Sequence, residues 1–260
     1  MSDKLAWFEP DWTPPPGVRA LCTRRTGGVS NAPFDSFNLG AHVGDAPQAV
    51  RDNRSRLRSA AALPAEPLWL SQVHGVQVAD IDTAVGTPVA DASVATRAGA
   101  VCAVLTADCL PVLLSAVDGS AIGAVHAGWR GLAAGVIEAT LKELRARMAS
   151  GAAIQAWLGP AIGPAHFEVG DEVRTAFLQQ DSAAARAFVR NDAGRWQCDL
   201  YALARQRLAQ HGIRDITGGG LCTYADAVNF YSHRREVQHR GLAATGRMAS
   251  LIWREVDGRA

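Results

Sequence analysis

Three side chains able to bind a metal or act as a nucleophile and its base stand at the ends of apolar runs. His74 closes "LWLSQVHG", Cys109 follows "AVCAVLTAD", and His126 follows "AIGAV". Two imidazoles and a thiolate suit a zinc ion, which in catalytic sites takes three protein ligands and leaves a further position open. The same trio suits a Cys–His pair in which the thiol attacks and an imidazole takes its proton. It also suits a buried thiol with two hydrogen-bonded histidines, so residue type and spacing leave three readings open. Asp108, in "LTADCLPVLL", lies between runs with the composition of buried sheet. An unpaired carboxylate is costly there, so either Asp108 is paired or the chain leaves the core at this point. Phosphate-loop, zinc-protease and serine-hydrolase motifs are absent from the chain, so the chemistry must be assembled from residues distant in sequence.

The elements around these residues are predicted as follows. "VRALCT" is a first strand, and "DAPQAVRDNRSRLRSAA" a helix to about residue 61, with Asp45 as N-cap and Pro47 in its first turn. "PLWLSQVHG" reads as a strand ending at His74; "AVCAVLTAD", "PVLLSAVDG" and "SAIGAVHAG" are three more, with Asp118-Gly119 as a hairpin turn between the last two. Pro111 keeps residues 105–114 from continuing as one helix. After Gly128 the period changes, and Leu132, Val136, Ile137, Leu141, Leu144 and Met148 trace one helical stripe. "IQAWL" is a strand, helices are predicted near 170–179, 183–190 and 199–210, and "TGRMASLIWR" is a final strand. Strands outnumber long helices in the middle of the chain and are partly antiparallel, so the class is α+β, in one domain over residues 1–260, rather than a doubly wound parallel sheet.

Bulk composition narrows the partners. The 260 residues are 48% hydrophobic and 20% charged, as in a soluble globular chain. With 26 Lys+Arg against 25 Asp+Glu the net charge is +1, which provides no global field for nucleic acid or an anionic membrane. "MSDKLAWFEPDW" lacks the apolar stretch of an export signal, and no apolar run reaches the length of a membrane span. Five scattered cysteines without a C-x-x-C pair read as reduced thiols in the cytoplasm.

"SQVHG", "TADCLPVLL", "GAVHAGWRG" and "GPAIGPAHFEVGDEV", together with "TRRTGGVS", "FNLGAHVGD", "CTYADAVNFYSHRRE" and "TGRMASLIW", resemble the YfiH family of laccase-domain proteins, also described as purine nucleoside phosphorylases. The resemblance spans almost the whole chain. It implies a cytoplasmic enzyme built as a single-domain layered α/β/β/α sandwich with mixed sheets, monomeric or weakly homo-oligomeric, with zinc held by His74, Cys109 and His126. It also implies phosphorolysis of adenosine, inosine and methylthioadenosine, with adenosine deaminase activity, on purine nucleosides and phosphate. On that footing Asp108 is either a proton shuttle or a residue that orients a ligand or caps a turn. Arg25 and Arg130 become candidate phosphate grips, a guanidinium being permanently charged and able to bind bidentately; an ordinary ion pair is the competing role of each. Asn38, in "FNLG", is a candidate partner of a ribose hydroxyl or of a ligand, with an ordinary turn residue as the competing role, and His166 is a surface or pocket-rim histidine. Trp129 and Phe167 are candidates for an aromatic wall. Thr26 and His233 depart from the residues the family pattern leads one to expect, which alters pocket polarity and leaves the metal ligands intact.

Three rival functions follow from the same residues. A copper-dependent polyphenol oxidase would use the trio for copper, but a laccase cluster needs His-x-His pairs, and the 7 histidines here form none. A cysteine amidase acting on cell-wall precursors would use Cys109 as nucleophile with His126 or His74 as base. A metal-stabilised binding module would show no turnover and would melt early without its metal.

Overall fold

Residues Val101–Thr106 and Leu110–Ala116 are buried at every position, as uninterrupted aliphatic composition requires of strands covered on both faces. In the computed structural model, which describes residues 7–148 and 151–256, these two strands lie in different sheets. One sheet is antiparallel, in the order β1 (Trp7–Phe8), β2 (Val18–Thr23), β13 (Met248–Arg254), β5 (Val101–Thr106). The other is mixed and six-stranded, in the order β12 (Asp215–Gly218), β8 (Ile154–Leu158), β6 (Leu110–Ala116), β7 (Ile122–Ala127), β4 (Ala92–Ala95), β3 (Val78–Asp80), with β12–β8 and β4–β3 parallel. A small antiparallel sheet joins β10 (Phe188–Arg190), β11 (Trp196–Cys198) and β9 (Glu168–Val169).

The two large sheets pack face to face. Ala20, Cys22, Cys102, Val104 and Ile252 of the first meet Leu113, Ile122, Ala124 and Trp157 of the second. Alternate residues point the other way: Leu21, Ala103 and Leu251 pack on Leu57 of helix α1 (Pro47–Ala60). On the far side, Val112, Leu114 and Val125 meet Val136, Ile137, Leu141 and Leu144 of α3 (Val136–Arg145), next to α2 (Trp129–Ala134), α4 (Asp171–Leu178) and α5 (Leu200–Gln210). The period-two alternation of the strands thus produces the expected helix–sheet–sheet–helix layering. No helix of the described residues is long and apolar enough to cross a membrane.

Four local expectations are corrected. Asp45 does not cap α1; Ala46 occupies that position without a side-chain bond, and the Asp45 carboxylate accepts from Ser30 Oγ at 2.6 Å and Asn38 Nδ2 at 2.9 Å. "PLWLSQVHG" is not a strand: its ladder contact is the single bridge Ser71–Val89, because the N–H groups of Val73, His74 and Gly75 turn onto the Asp91 carboxylate. The helix after Gly128 is two helices, broken where Gly135 adopts φ 100°. Residues 183–190 form a short 3₁₀ segment, Ser182–Ala187, capped by Asp181, and then β10, because Phe188 to Arg190 find a ladder on β11. The hairpin at Asp118-Gly119, the helices near 170–179 and 199–210 and the final strand are as expected.

Candidate active site

The chain crosses from one sheet to the other between Thr106 and Leu110, and Asp108 and Cys109 are the crossing. Asp108 takes φ 89°, a region that aspartate tolerates better than most residues because its short carboxylate bonds locally. Its Oδ1 accepts from Thr223 Oγ1 and its Oδ2 from the Arg234 backbone N–H, each at 2.6 Å. The carboxylate that looked costly in a buried strand is therefore paired, and the chain does leave the strand here.

Cys109, half-buried, sits with Sγ 3.7 Å from His74 Nε2. His126, near the end of β7, lies opposite Pro111 in the ladder, and its ring meets that of His74 edge to face with centroids 4.8 Å apart. One ligand atom from each of the three residues falls within 4.8 Å of the others. Tetrahedral zinc, with bonds of about 2.0–2.3 Å, spaces its ligands about 3.3–3.7 Å apart, so the trio fits after a contraction of about 1 Å. A thiolate with two imidazoles is a donor set for zinc or copper rather than for magnesium or calcium.

One carboxylate holds this arrangement together. Asp91, fully buried, accepts His74 N at 2.8 Å, Gly75 N at 2.7 Å and Val73 N at 3.1 Å, and also bonds His126 Nδ1 at 2.8 Å. Burial pushes Asp91 up, but His126 and the N–H groups outweigh it and leave the carboxyl below its ordinary range. Burial likewise pushes the Cys109 thiol up; His126 and then His74 overcome this and bring it to about 6. His126 moves the opposite way: burial lowers it, yet Cys109 and Asp91 raise it to about 9. The two shifts run in opposite senses because each group favours the charged form of the other.

The trio opens into a cavity of about 360 Å³ that it shares with Asp108 and Arg130. Trp129, Ile162, Phe167 and Leu200 give it an apolar, aromatic wall, and Arg130, Arg234 and Arg247 a cationic one. Arg130 lies over the Trp129 ring at 4.4 Å. Arg234 passes 5.4 Å from the Phe167 ring and donates to the Glu168 carbonyl at 2.9 Å. Arg247 donates to the carbonyls of Thr245 and Gly246, and burial lowers its pKa, as for a cation short of solvation. Two imidazoles also face the space. His42 and His233 are both held below their ordinary value by burial and then by Arg247.

Two predicted binding residues are not brought here. Arg25 lies in a separate cleft with Thr26, its guanidinium 2.6 Å from Glu236 Oε1, bonded to the Asp35 carbonyl and stacked 4.7 Å from the Tyr231 ring. That is the competing ion-pair role. Asn38 is fully buried, and its Oδ1 accepts from Gly40 N and Arg247 N while its Nδ2 donates to Asp45 and Gly40. It has no free group for a ribose; instead it fixes the backbone that carries Arg247. His166 lines a third pocket, away from the trio. Sequence reasoning missed Asp91, His42, Arg234 and Arg247. The rule that singled out Asp108, a carboxylate beside an apolar strand, applies equally to Asp91 in "VADASVA".

Known proteins similar to this chain share its sequence over nearly the whole length. Residues 19–255 match the family described as multi-copper polyphenol oxidoreductase laccase. The chain is 53% identical over 255 residues to a Xylella fastidiosa (strain Temecula1) protein named purine nucleoside phosphorylase, covering 94% of this chain and 95% of that one. It is 49% identical over 248 residues to the purine nucleoside phosphorylase YfiH of Escherichia coli strain K12, covering 94% and 97%. Among solved structures, the DUF152 protein of Neisseria meningitidis superposes with TM-score 0.88 at 43% identity, over 96% of this chain and 100% of that one. The YfiH protein of Bacillus licheniformis superposes with TM-score 0.87 at 29% identity, over 98% of each.

Proposed function

Because this chain belongs to the laccase-domain family that includes the YfiH proteins, we propose that its cavity binds a purine nucleoside beside inorganic phosphate and exchanges the base for phosphate. The observation that carries this reading is that three arginines and an aromatic wall line one cavity. Guanidinium forks match phosphate oxygens and retain their charge at any working pH. Phe167 and Trp129 offer faces for a purine, with Ile162 and Leu200 excluding water around it.

In the reaction a phosphate oxygen attacks C1′ of the ribose, the N9–C1′ bond breaks, and its electron pair leaves with the base. Arg130, Arg234 and Arg247 hold the attacking phosphate in place, so that positioning does most of the work. The largely neutral imidazoles of His42 and His233 present N–H donors to the departing purine. Asp108 acts as a positioning residue, pinning the turn that carries Arg234 into the cavity. His74, Cys109 and His126 would hold zinc, which when bound supplies Lewis-acid polarisation and a route to hydrolytic deamination of adenosine. Adenosine, inosine and methylthioadenosine are the proposed substrates, sharing the purine ring and the N-glycosidic bond.

Incubation with adenosine, with and without phosphate, followed by product separation, tests this. Adenine and ribose 1-phosphate appearing only with phosphate are expected; inosine in either mixture marks the deaminase activity. Neither product from metal-replete protein would overturn the proposal.

One observation favours a second reading. Asp91, His126 and Cys109 stand in the order acid, imidazole, thiol, the arrangement of a cysteine hydrolase. Full turnover of an amide substrate in a strong chelator would establish that reading, and loss of all activity in the chelator would exclude it.

A further inference from the structure

A second cysteine–histidine pair lies outside the cavity just described. Cys222 Sγ is 3.5 Å from His166 Nδ1, and it accepts backbone N–H groups from Gly163 at 3.2 Å and Ala225 at 3.4 Å. The imidazole is itself held in place: it stacks on Tyr224 with ring centroids 4.5 Å apart and planes 23° apart, and the Tyr224 hydroxyl bonds His239 Nδ1 at 2.9 Å. Both members of the pair face a pocket of about 390 Å³, which Tyr201, Arg205 and Gly218–Gly220 close on the far side. Apart from Cys109, Cys222 is the one cysteine that is not buried; Cys22, Cys102 and Cys198 are all enclosed, and burial pushes all three thiols up, to about 12 for Cys22 and Cys102.

We propose that Cys222 and His166 form a thiol-modification site that exchanges with small disulfides entering this pocket. The S–H proton passes to His166 Nδ1 as the sulfur attacks one sulfur of the disulfide. The reagent's S–S bond breaks, a new one forms to Cys222, and the second reagent sulfur leaves as a thiolate that takes up the proton held by His166. One disulfide is consumed and one formed, so no further oxidant is required. The ordered imidazole supplies the base, the two N–H groups fix the sulfur's direction, and the pocket gives the reagent room.

The site shares no residue with the nucleoside cavity, so its test does not depend on the proposed activity. The full-length Cys109→Ser variant is treated with dithiodipyridine, thiopyridone release is followed by absorbance, and the adduct is located by peptide mass mapping. One fast equivalent per chain on Cys222 is expected, about tenfold faster than the same thiol in the peptide "CTYAD" at equal pH. His166→Asn should slow that phase by about tenfold, and adding Cys222→Ser should abolish it. If Cys109→Ser fails to give a cooperative melting transition, metal-replete wild-type protein is mapped instead. A Cys222 rate no greater than that of the peptide, or one unaffected by His166→Asn in a folded protein, would overturn the proposal.

Discussion

Each oxygen of Asp91 accepts two protons, Oδ1 from His74 N and His126 Nδ1, Oδ2 from Val73 N and Gly75 N. The bond to Nδ1 fixes the His126 tautomer and leaves Nε2 toward Cys109, while the three backbone bonds set where the His74 ring begins. Asp91→Asn puts an amide N–H against donors already in place. We expect it to weaken metal binding by about 10–100-fold, read by competition with a chromogenic chelator. Unchanged affinity in a folded variant would show that Asp91 does not position the trio. The same residue marks what sequence could disclose at this scale. His74, Cys109 and His126 were legible as metal-competent types, and their neighbours linked them. Asp91 could have stood out as a carboxylate beside an apolar strand, but its role could not, because three of its partners are backbone N–H groups, which carry no residue signature. Arg25 and Arg247 were indistinguishable as types; one neutralises Glu236 and the other lines the cavity, a difference decided by where the backbone aims them.

Element ends, more than element interiors, build the site. Cys109 stands in the crossing before β6, His126 near the end of β7, and His74 in the loop that Asp91 holds. Gly128 opens α2 immediately behind them, with φ −63°, a conformation open to any residue. A Cβ there would lie 2.8 Å from His74 Cδ2 and 3.1 Å from Cys109 Sγ. Gly128→Ala should therefore keep the fold, costing the metal-free protein under about 1 kcal/mol at the N-cap, yet drive the two ligands apart and weaken metal binding at least tenfold. Equal metal affinity by calorimetry would show that the two side chains yield without cost. The helical stripe Leu132–Leu144 was readable from its period, whereas its break at Gly135 depends on a left-handed residue that periodicity does not register. The strand read into "PLWLSQVHG" had the right composition, but the N–H groups of its last residues found a carboxylate instead of a ladder.

At the scale of the molecule the α+β class was readable from apolar runs and partly antiparallel strands, the four layers were what the family resemblance implied, and strand order was in neither. β13 pairs with β2 and β5 across separations of more than a hundred residues, and nothing local announces which strands will meet. The strands of the small sheet, two or three residues each, are too short to show a period. The same long-range assembly gives the site its bearing on stability. Cys109 stands in the crossing between the two sheets, His126 lies in the six-stranded one, and the His74 loop is tied to both, through Asp91 beside β4 and through Gln72 on Leu105 of β5. An ion on all three would therefore bind the folded chain and not the unfolded one. At a thousandfold excess over its dissociation constant such an ion contributes about 4 kcal/mol, and in a domain of this size each kcal/mol moves the melting temperature by about 2–4 °C. Chelation should lower the melting temperature by roughly 10 °C, and added zinc should restore it. Cys109→Ser should melt near the chelated value and respond little to zinc. If wild-type and variant melt alike at every zinc concentration, the trio binds no ion, and Cys109 beside His126 would remain as a thiol and its base.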